Sequence, residues 1–290
     1  MFATAQHDGY KSPTEDRVKV TPIHETMTMY SVFDGHSGYQ LAAAAASTLT
    51  EAIKERILEN GSNPSTSQLE KIMVEEFERF DNESRYLQGR GMSGTTATCA
   101  IVTPTHIVVA NVGDSPAILF KDGALVAATV DHDGYNPDEV SRVNAAGGYV
   151  SNRNDFGNMR INNCLSVSRA LGNYLHKNFH SQVIIPTPQT YVWDRVEGAY
   201  LAVCSDSFTE VIGVHPGGKR DISGAPMQMI VQDGTPETIV AELTNVLTDF
   251  PDNIKLATEA AVERRTKKFY FSEPHNCYAG DNTSLILVKL

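Results

Sequence analysis

The sequence is poor in cysteine. Only four cysteines occur in 290 residues, Cys99, Cys164, Cys204 and Cys277, and no two of them are separated by two residues. This scatter argues against a disulfide framework and against a zinc site built from cysteines, because such a site needs paired spacing. Cys99 and Cys204 lie inside apolar runs, so we predict that both are buried free thiols.

Long apolar runs are also missing. The longest fall well short of the roughly 20 residues that a membrane-spanning helix requires. The segment from Met1 to Asp8 has neither the basic nor the apolar region of a secretory signal peptide. We therefore expect no membrane span, a cytoplasmic or nuclear location, and a monomer as the default oligomeric state.

Positive charge is in deficit. Lysine and arginine total 24 against 35 aspartates and glutamates, which gives a formal net charge of −11. A chain this acidic is poorly suited to nucleic acid or to an anionic membrane surface, so we expect no nucleic-acid partner. Hydrophobic residues make up 41% of the chain, which is enough for a folded core and argues against disorder.

Strand-like runs and turn signals alternate along the chain. The pair Asp122-Gly123 between two apolar runs predicts a tight β-hairpin. Because strands joined by hairpins pair antiparallel, we predict antiparallel sheets with helices layered on them. No repeat or linker divides the sequence, so residues 1–290 are expected to form a single domain. The predicted strands are Met27–Phe33, Thr95–Val102, His106–Val112, Ala117–Phe120, Ala124–Val130, Ala199–Cys204 and Thr283–Val288.

Helical patterns occupy much of the remaining sequence. Residues 213–232 are rich in glycine and proline and predict a surface insertion, which is a candidate determinant of substrate choice. The basic run at 264–268 is interpreted as a solvated helix end. The predicted helices are Ser37–Leu58, one that starts with a capping box at Ser67–Glu70, a short one between Asn136 and Gly148, Thr235–Phe250 and Asn253–Lys268. In the second of these, helical spacing predicts one apolar face made of Leu69, Ile72, Met73, Phe77 and Phe80.

Acidic residues lie at the ends of predicted strands. Asp34, Asp206 and Asp281 occupy such positions, and Glu15 and Asp16 form a further acidic pair near the N-terminus. Clustered carboxylates repel one another unless protons or cations neutralise them, and Mg²⁺ and Mn²⁺ prefer oxygen ligands of this kind. Taken singly, each aspartate fits a turn or a helix cap equally well.

Eight short motifs occur in a fixed order, from about residue 5 to residue 288. They are Glu15-Asp16, Asp34-Gly35-His36, Ser93-Gly94-Thr95-Thr96-Ala97, Asn111-Val112-Gly113-Asp114-Ser115, Ala145-Ala146-Gly147-Gly148, Ser168-Arg169-Ala170-Leu171-Gly172, Ser205-Asp206 and Asp281-Asn282. In this order and spacing they resemble the metal-dependent protein serine/threonine phosphatases of type 2C, the PPM family. The resemblance implies an α+β fold, a four-layer αββα sandwich in which helices flank two central, mostly antiparallel β-sheets.

The resemblance also implies a metal centre at one end of the sandwich. It would hold two Mg²⁺ or Mn²⁺ ions and a weaker third. Asp34 matches the carboxylate that bridges the first two ions. The other implied ligands are Glu15, the carbonyl of Gly35, Asp206 and Asp281, while Asp16 matches a supporting acid and Asp114 a ligand of the third ion.

Two further residues match catalytic positions of the family. His36 occupies the place of the general acid, although a structural or capping role also fits a histidine there. Lys11 occupies the place of a phosphate-binding arginine, unless a local gap shifts this stretch. The implied reaction is hydrolysis of phosphoserine or phosphothreonine in phosphoprotein substrates, by direct attack of a hydroxide that bridges the two ions.

Four positions depart from the family pattern. Lys11 replaces the arginine and loses its bidentate fork, and Ser207 replaces a glycine and would be strained if φ must be positive. Asn173 replaces an acid, and Pro116 replaces an arginine. These departures favour reduced or altered activity. They leave two alternatives open: a pseudophosphatase that serves as a binding and signalling module, and a hydrolase of small phosphoesters.

Overall fold

Two β-sheets form the centre of the protein. A computed structural model describes residues 1–8, 13–61, 63–87, 91–152, 159–179, 182–208, 210–214, 228–232, 235–268 and 282–290. In this part of the chain two five-stranded antiparallel sheets face each other, and helices cover the outer face of each sheet. The predicted α+β sandwich of four layers is confirmed.

The two five-stranded sheets take their strands from different parts of the chain, and the first and last strands pair within the first sheet. The first sheet has the order β1-β17-β14-β8-β9 and the second the order β13-β7-β6-β3-β2. Smaller sheets join β12, β5 and β4, β10 and β11, and β15 and β16. The strands are β1 (Phe2–His7), β2 (Arg17–His24), β3 (Met27–Phe33), β4 (Gly35–His36), β5 (Gly94–Thr95), β6 (Ala97–Val102), β7 (His106–Val112), β8 (Ala117–Lys121), β9 (Ala124–Ala128), β10 (Val150–Asn152), β11 (Met159–Ile161), β12 (Leu171–Gly172), β13 (Gln189–Asp194), β14 (Tyr200–Cys204), β15 (Glu210–Val214), β16 (Gln228–Gln232) and β17 (Thr283–Lys289).

Helices lie between the strands in sequence and outside them in space. A π-helical segment, Ala45–Leu49, joins the first two helices, and 3-10 turns occur at Ser84–Leu87 and Asp206–Phe208. The helices are α1 (Gln40–Ala44), α2 (Thr50–Glu59), α3 (Thr66–Glu83), α4 (Pro137–Ala145), α5 (Tyr174–Phe179), α6 (Pro236–Asp249) and α7 (Ile254–Lys268).

Three apolar layers hold the sandwich together. Between the sheets, aliphatic side chains such as Val32, Val109, Leu201 and Ile286 are fully buried. Burial of each side chain of this size stabilises the fold by about 1.5–3 kcal/mol. Outside the second sheet lies α3, whose predicted apolar face is buried, and outside the first lie α6 and α7. The buried face of α3 comprises Leu69, Ile72, Met73, Phe77 and Phe80.

The starts of two helices differ from their predictions. The first helix begins at Gln40 instead of Ser37, because Ser37 (φ 58°) and Gly38 (φ 115°) adopt left-handed backbone conformations. The cap of α3 is Ser65, whose hydroxyl accepts from the Gln68 N–H at 3.2 Å while its N–H donates to Gln68 Oε1 at 2.8 Å. The predicted box at Ser67–Glu70 was wrong, since two serines in this stretch precede a Gln or Glu by three residues and both starts bury the same face.

The Asp122-Gly123 hairpin is confirmed. It joins β8 to β9, and both residues have positive φ values, 51° and 77°. Two positive φ values are the mark of a type I′ turn, whose twist matches that of the flanking strands. Cys99 and Cys204 are buried free thiols, as predicted.

Two other predictions change with the structure. The predicted insertion at 213–232 includes the end of β15 and all of β16, which pair antiparallel; residues 215–227 lie outside the described residues. The basic run at the end of α7 is not a solvated face throughout, because Arg265 is only 2% exposed. No described helix is long and apolar enough to cross a membrane.

A buried histidine after β9 predicts a pH effect on stability. His132 is fully buried, accepts from the Gly113 N–H at 3.2 Å through Nδ1 and bonds Gln189 through Nε2. Burial, together with the nearby Arg169, lowers its pKa from 6.5 to about 4. Between these values the unfolded chain binds more protons than the native one, so stability declines as the pH falls from 6.5 towards 4.

We expect a His132→Asn variant to lose this part of the pH dependence. The free energy of unfolding is measured in EDTA by urea denaturation at several pH values. Between pH 7 and 4.5 it should fall by about 2 kcal/mol less in His132→Asn than in the parent protein. His24→Asn, at an exposed position of β2, is the matched control and should follow the parent. Parallel curves for His132→Asn and the parent contradict the prediction.

Candidate active site

Chain segments from both sheets meet at one end of the sandwich. Asp34 directly follows β3 of the second sheet, and Asp206 opens the 3-10 turn after β14 of the first. Asn282 precedes β17, the neighbour of β14. The sequence predicted acidic residues at these strand ends, and hydrogen bonds join the segments that carry them.

Glu15 is held against the loop that follows β3. Its backbone carbonyl lies so close to Gly35 that a Cβ built on this glycine would be 2.5 Å from the oxygen. Its carboxylate Oε1 accepts from the Gly38 N–H at 2.5 Å. Gly35 is therefore required for this close approach, and two predicted site positions, 15 and 35, are adjacent.

The start of β17 is tied to the same N-terminal segment. The Glu15 N–H donates to Asn282 Oδ1 at 2.8 Å, and Asn282 Nδ2 donates to the Asp8 carbonyl at 2.5 Å. Asp16 is buried, and its Oδ2 accepts from the Ser284 hydroxyl at 2.7 Å. Asp281 itself and Lys11 lie outside the described residues.

A chain of hydroxyl groups links Asp34 to the Asp114 segment. The Asp34 N–H donates to Thr96 Oγ1 at 3.0 Å, and this oxygen lies 2.7 Å from Ser115 Oγ. Asp34 is half-buried, whereas Asp114 is only 7% exposed. Thr96 thus connects the backbone of Asp34 to Ser115, the residue that directly follows Asp114.

The turn that carries Asp206 is fixed by polar contacts. Ser205 Oγ accepts from the Ser284 N–H at 3.0 Å and lies 3.1 Å from Ser207 Oγ. The buried Arg265 donates from Nε to the Ser207 carbonyl at 3.0 Å. Ser207 does not have a positive φ, so the strain considered for this replacement of glycine does not arise.

The sequence alone did not indicate that Arg265 is buried, because the basic run at 264–268 was interpreted as solvated. Its Nη1 atom pairs with Glu242 of α6 at 3.2 Å, and this ion pair compensates the buried charge. Arginine is rarely buried without such partners. Because Glu242 and Ser207 are distant from Arg265 in sequence, the basic run alone could not indicate its burial. Arg265 therefore connects α6 and α7 to the Asp206 turn.

Asp131 is a second site residue that the sequence interpretation missed. Burial, followed by the charges of Asp133 and Asp206, raises its pKa from 3.8 to about 8. Its Oδ1 atom is buried and has no hydrogen-bond partner among the residues that the structure describes. The signal was present, since Asp131 directly follows the predicted strand Ala124–Val130 in the same way that Asp34 follows its own strand.

His36 forms a side-chain pair with Asn173. Its Nε2 lies 2.9 Å from Asn173 Oδ1, His36 is half-buried and Asn173 is fully buried. Asn173 follows β12 and has a φ of 54°, a left-handed conformation that asparagine tolerates better than most residues. This departure from the family pattern thus lies directly against the predicted general acid.

The donor groups at this end of the sandwich suit a hard divalent cation. Within the described ranges no three His, Cys, Asp or Glu side chains converge as a metal site, and the implied ligand Asp281 lies beyond those ranges. The groups that are described are carboxylates and a backbone carbonyl, which are the ligands that Mg²⁺ and Mn²⁺ prefer. Burial, and then the nearby carboxylates of Asp133 and Asp206, raise the pKa of Asp131, and a cation bound beside these carboxylates would offset that repulsion.

Comparison with known proteins identifies the family. The model of the family described as "Protein phosphatase 2C" matches residues 3–214. The chain belongs to the protein phosphatase 2C family. It is 32% identical over 208 residues to "Protein phosphatase ppm-1.A" of Caenorhabditis elegans, covering 65% of this chain and 43% of that protein. It is 31% identical over 208 residues to "Protein phosphatase 1L" of Bos taurus, covering 68% and 56%.

Solved structures show the same fold. The structure of a sex-determining protein of C. elegans matches with a TM-score of 0.71 at 21% identity, and the match covers 99% of this chain and 64% of that protein's chain. A phosphatase from a pathogenic strain of Toxoplasma gondii has a TM-score of 0.70 at 19% identity and covers 99% and 91%. The chain spans about half the length of the curated relatives it matches.

Proposed function

We propose that the protein is a metal-dependent phosphatase that hydrolyses phosphoserine and phosphothreonine in phosphoprotein substrates. One observation carries the proposal. The family's acidic positions lie on segments that are bonded to one another at a single end of the sandwich, through the contacts of Glu15, Gly35, Asn282 and Ser284. This is the arrangement that a shared metal centre needs.

The metal centre would be held by oxygen ligands. Two Mg²⁺ or Mn²⁺ ions bound there would supply positive charge that neutralises the phosphoryl oxygens and activates water. Asp16 supports the centre through its hydrogen bond with Ser284, and Asp114 would serve a weaker third ion. The ligands of the first two ions would be Glu15, Asp34, the carbonyl of Gly35, Asp206 and Asp281.

Two side chains would carry out the rest of the reaction: His36 donates a proton and Lys11 orients the phosphoryl group. Water attacks phosphorus, the bond from phosphorus to the serine or threonine oxygen breaks, and that oxygen leaves with the bonding electrons. The attacking water releases one proton to solvent, and His36 gives a proton to the leaving oxygen and regains one from solvent. The products are therefore the free hydroxyl side chain and inorganic phosphate. Lys11 orients the phosphoryl group as a single positive charge, more weakly than a bidentate arginine.

The proposal predicts strict dependence on a divalent cation. After removal of metal with EDTA and dialysis, the protein should not hydrolyse a phosphothreonine peptide, and millimolar Mn²⁺ should restore hydrolysis by at least about 100-fold. Elemental analysis of the reloaded protein should give two ions per chain. Release of inorganic phosphate is the measurement.

Three other results would redirect the assignment. Turnover that is equal with and without Mn²⁺ contradicts the mechanism. Bound metal with no turnover, or no bound metal at all, supports the pseudophosphatase. Turnover of p-nitrophenyl phosphate and other small esters without turnover of any phosphopeptide supports the small-phosphoester hydrolase.

A further inference from the structure

We propose that Asn173 is a positioning residue, which holds His36 in the orientation that leaving-group protonation requires. This inference rests on the proposed function. It begins from the 2.9 Å contact between His36 Nε2 and Asn173 Oδ1. It concerns a position at which the chain departs from its family, where an amide stands in place of an acid.

The amide of Asn173 can be oriented in only one way. Its Nδ2 donates to the Met92 carbonyl at 3.0 Å, and a carbonyl oxygen cannot donate. The oxygen Oδ1 must therefore face His36, and because an amide oxygen is purely an acceptor, Nε2 of His36 must carry the hydrogen. The contact thus fixes the direction of the ring and engages the Nε2 hydrogen, so the proton that His36 gives to the leaving oxygen comes from Nδ1.

Asn173 is itself held by its surroundings. Its N–H donates to the Ser93 carbonyl at 2.9 Å, and its carbonyl accepts from the Lys177 N–H at 3.0 Å in the first turn of α5. A Cβ at Gly94 would collide with both Asn173 Oδ1 and His36 Nε2, so the contact between these two side chains requires glycine at position 94. A fully buried partner fixed on three sides can immobilise a half-buried ring.

A neutral partner has a chemical consequence. A carboxylate at position 173 would add a negative charge beside the imidazole and the acidic end of the sandwich, whereas the amide supplies the same acceptor geometry without that charge. The replacement therefore preserves orientation of His36. Its contribution should appear only where the leaving oxygen needs a proton, as a serine or threonine alkoxide does and a nitrophenolate does not.

The test compares two leaving groups in Asn173→Gly. Glycine removes the amide but tolerates the positive φ, so the backbone is not strained. In the Mn²⁺-loaded full chain we expect kcat for a phosphothreonine peptide to fall about 100-fold with KM within about threefold, and kcat for p-nitrophenyl phosphate to fall far less, by at most about threefold. Asn173→Asp, which keeps an acceptor oxygen, should recover most of the peptide kcat.

A double variant distinguishes positioning from a general structural role. If Asn173 acts through His36, adding Asn173→Gly to His36→Gln should lower the peptide kcat by no more than about twofold further. Multiplicative losses in the double variant, or equal losses on both substrates in Asn173→Gly, overturn the inference while the proposed function stands. A parent protein that hydrolyses neither substrate overturns the proposed function and this inference with it.

Discussion

Replacement of Asp206 by asparagine is expected to lower Mn²⁺-dependent hydrolysis of a phosphothreonine peptide by at least about 100-fold. Asparagine has the same size as aspartate, so the contacts of the turn should persist, but one negative charge leaves the oxygen ligand set. Mn²⁺ should consequently bind more weakly, which isothermal titration calorimetry measures independently of turnover.

The fold of this variant should not suffer. Asp206 contributes to the raised pKa of Asp131, so its charge is repulsive when no metal is bound. The free energy of unfolding in EDTA should therefore be unchanged or higher in Asp206→Asn. This result would separate loss of a ligand from loss of structure.

A matched substitution completes this experiment. Asp252→Asn makes the same chemical change at an exposed position in the turn between α6 and α7, and it should leave turnover and Mn²⁺ affinity at the parent values. Parent-like turnover and affinity in Asp206→Asn would remove this residue from the metal centre.

The second large effect is expected for Lys177→Met, which should lower the free energy of unfolding by about 3–5 kcal/mol. The Lys177 ammonium donates to both oxygens of Asp81, at 2.8 and 2.9 Å, and to the Ala170 carbonyl at 2.9 Å. The side chains of the pair are 4% and 6% exposed. Removal of the lysine leaves the buried Asp81 carboxylate without its cation, although the backbone N–H of Gly172 still donates to its Oδ1 atom.

A compensating variant tests this explanation. In Asp81→Asn/Lys177→Met the buried charge is gone and an oxygen remains for the Gly172 N–H, so at least half of the lost stability should return. Lys255→Met removes an exposed lysine paired with Glu259 and should cost less than about 1 kcal/mol. Guanidinium denaturation provides all these values, and a Lys177→Met loss below 1 kcal/mol would refute the argument.

The Asp81–Lys177 pair matters for the site because of its location. It joins α3 to α5, and Asn173 lies immediately before α5. A weaker anchor there should loosen the partner of His36. Lys177→Met is therefore expected to reduce peptide turnover at temperatures at which the chain is still folded.

Much of the fold was predictable because local signals and burial agree. The apolar face of α3 was read from its periodicity, and the β8–β9 hairpin from Asp122-Gly123, since only a few residues accept two positive φ values. The edge strands β1 and β2 and the short helix α5 were not predicted. Their exposed or brief patterns carry little signal, and pairing with β17 and β3 stabilises the two strands.

The candidate site was predictable only in part. Positions such as Asp34 and Asp206 could be proposed because strand ends and motif order mark them. The roles of Asn282, Arg265 and Asp131 depend on neighbours far away in sequence, and no local pattern encodes those neighbours. Arg265 looked like a surface cation until its contacts with Ser207 and Glu242 placed it inside.

By itself, the sequence determined the excess of negative charge and, through the order of its motifs, the family. The four-layer sandwich followed from that family resemblance, because composition and motif order are properties of the chain alone. Only the tertiary structure decided that Asn173 pairs with His36, that Ser207 carries no backbone strain and that Arg265 is buried. Each of these depends on which distant groups surround a side chain, since hydrogen bonds and desolvation act over a few ångströms of space regardless of separation along the chain.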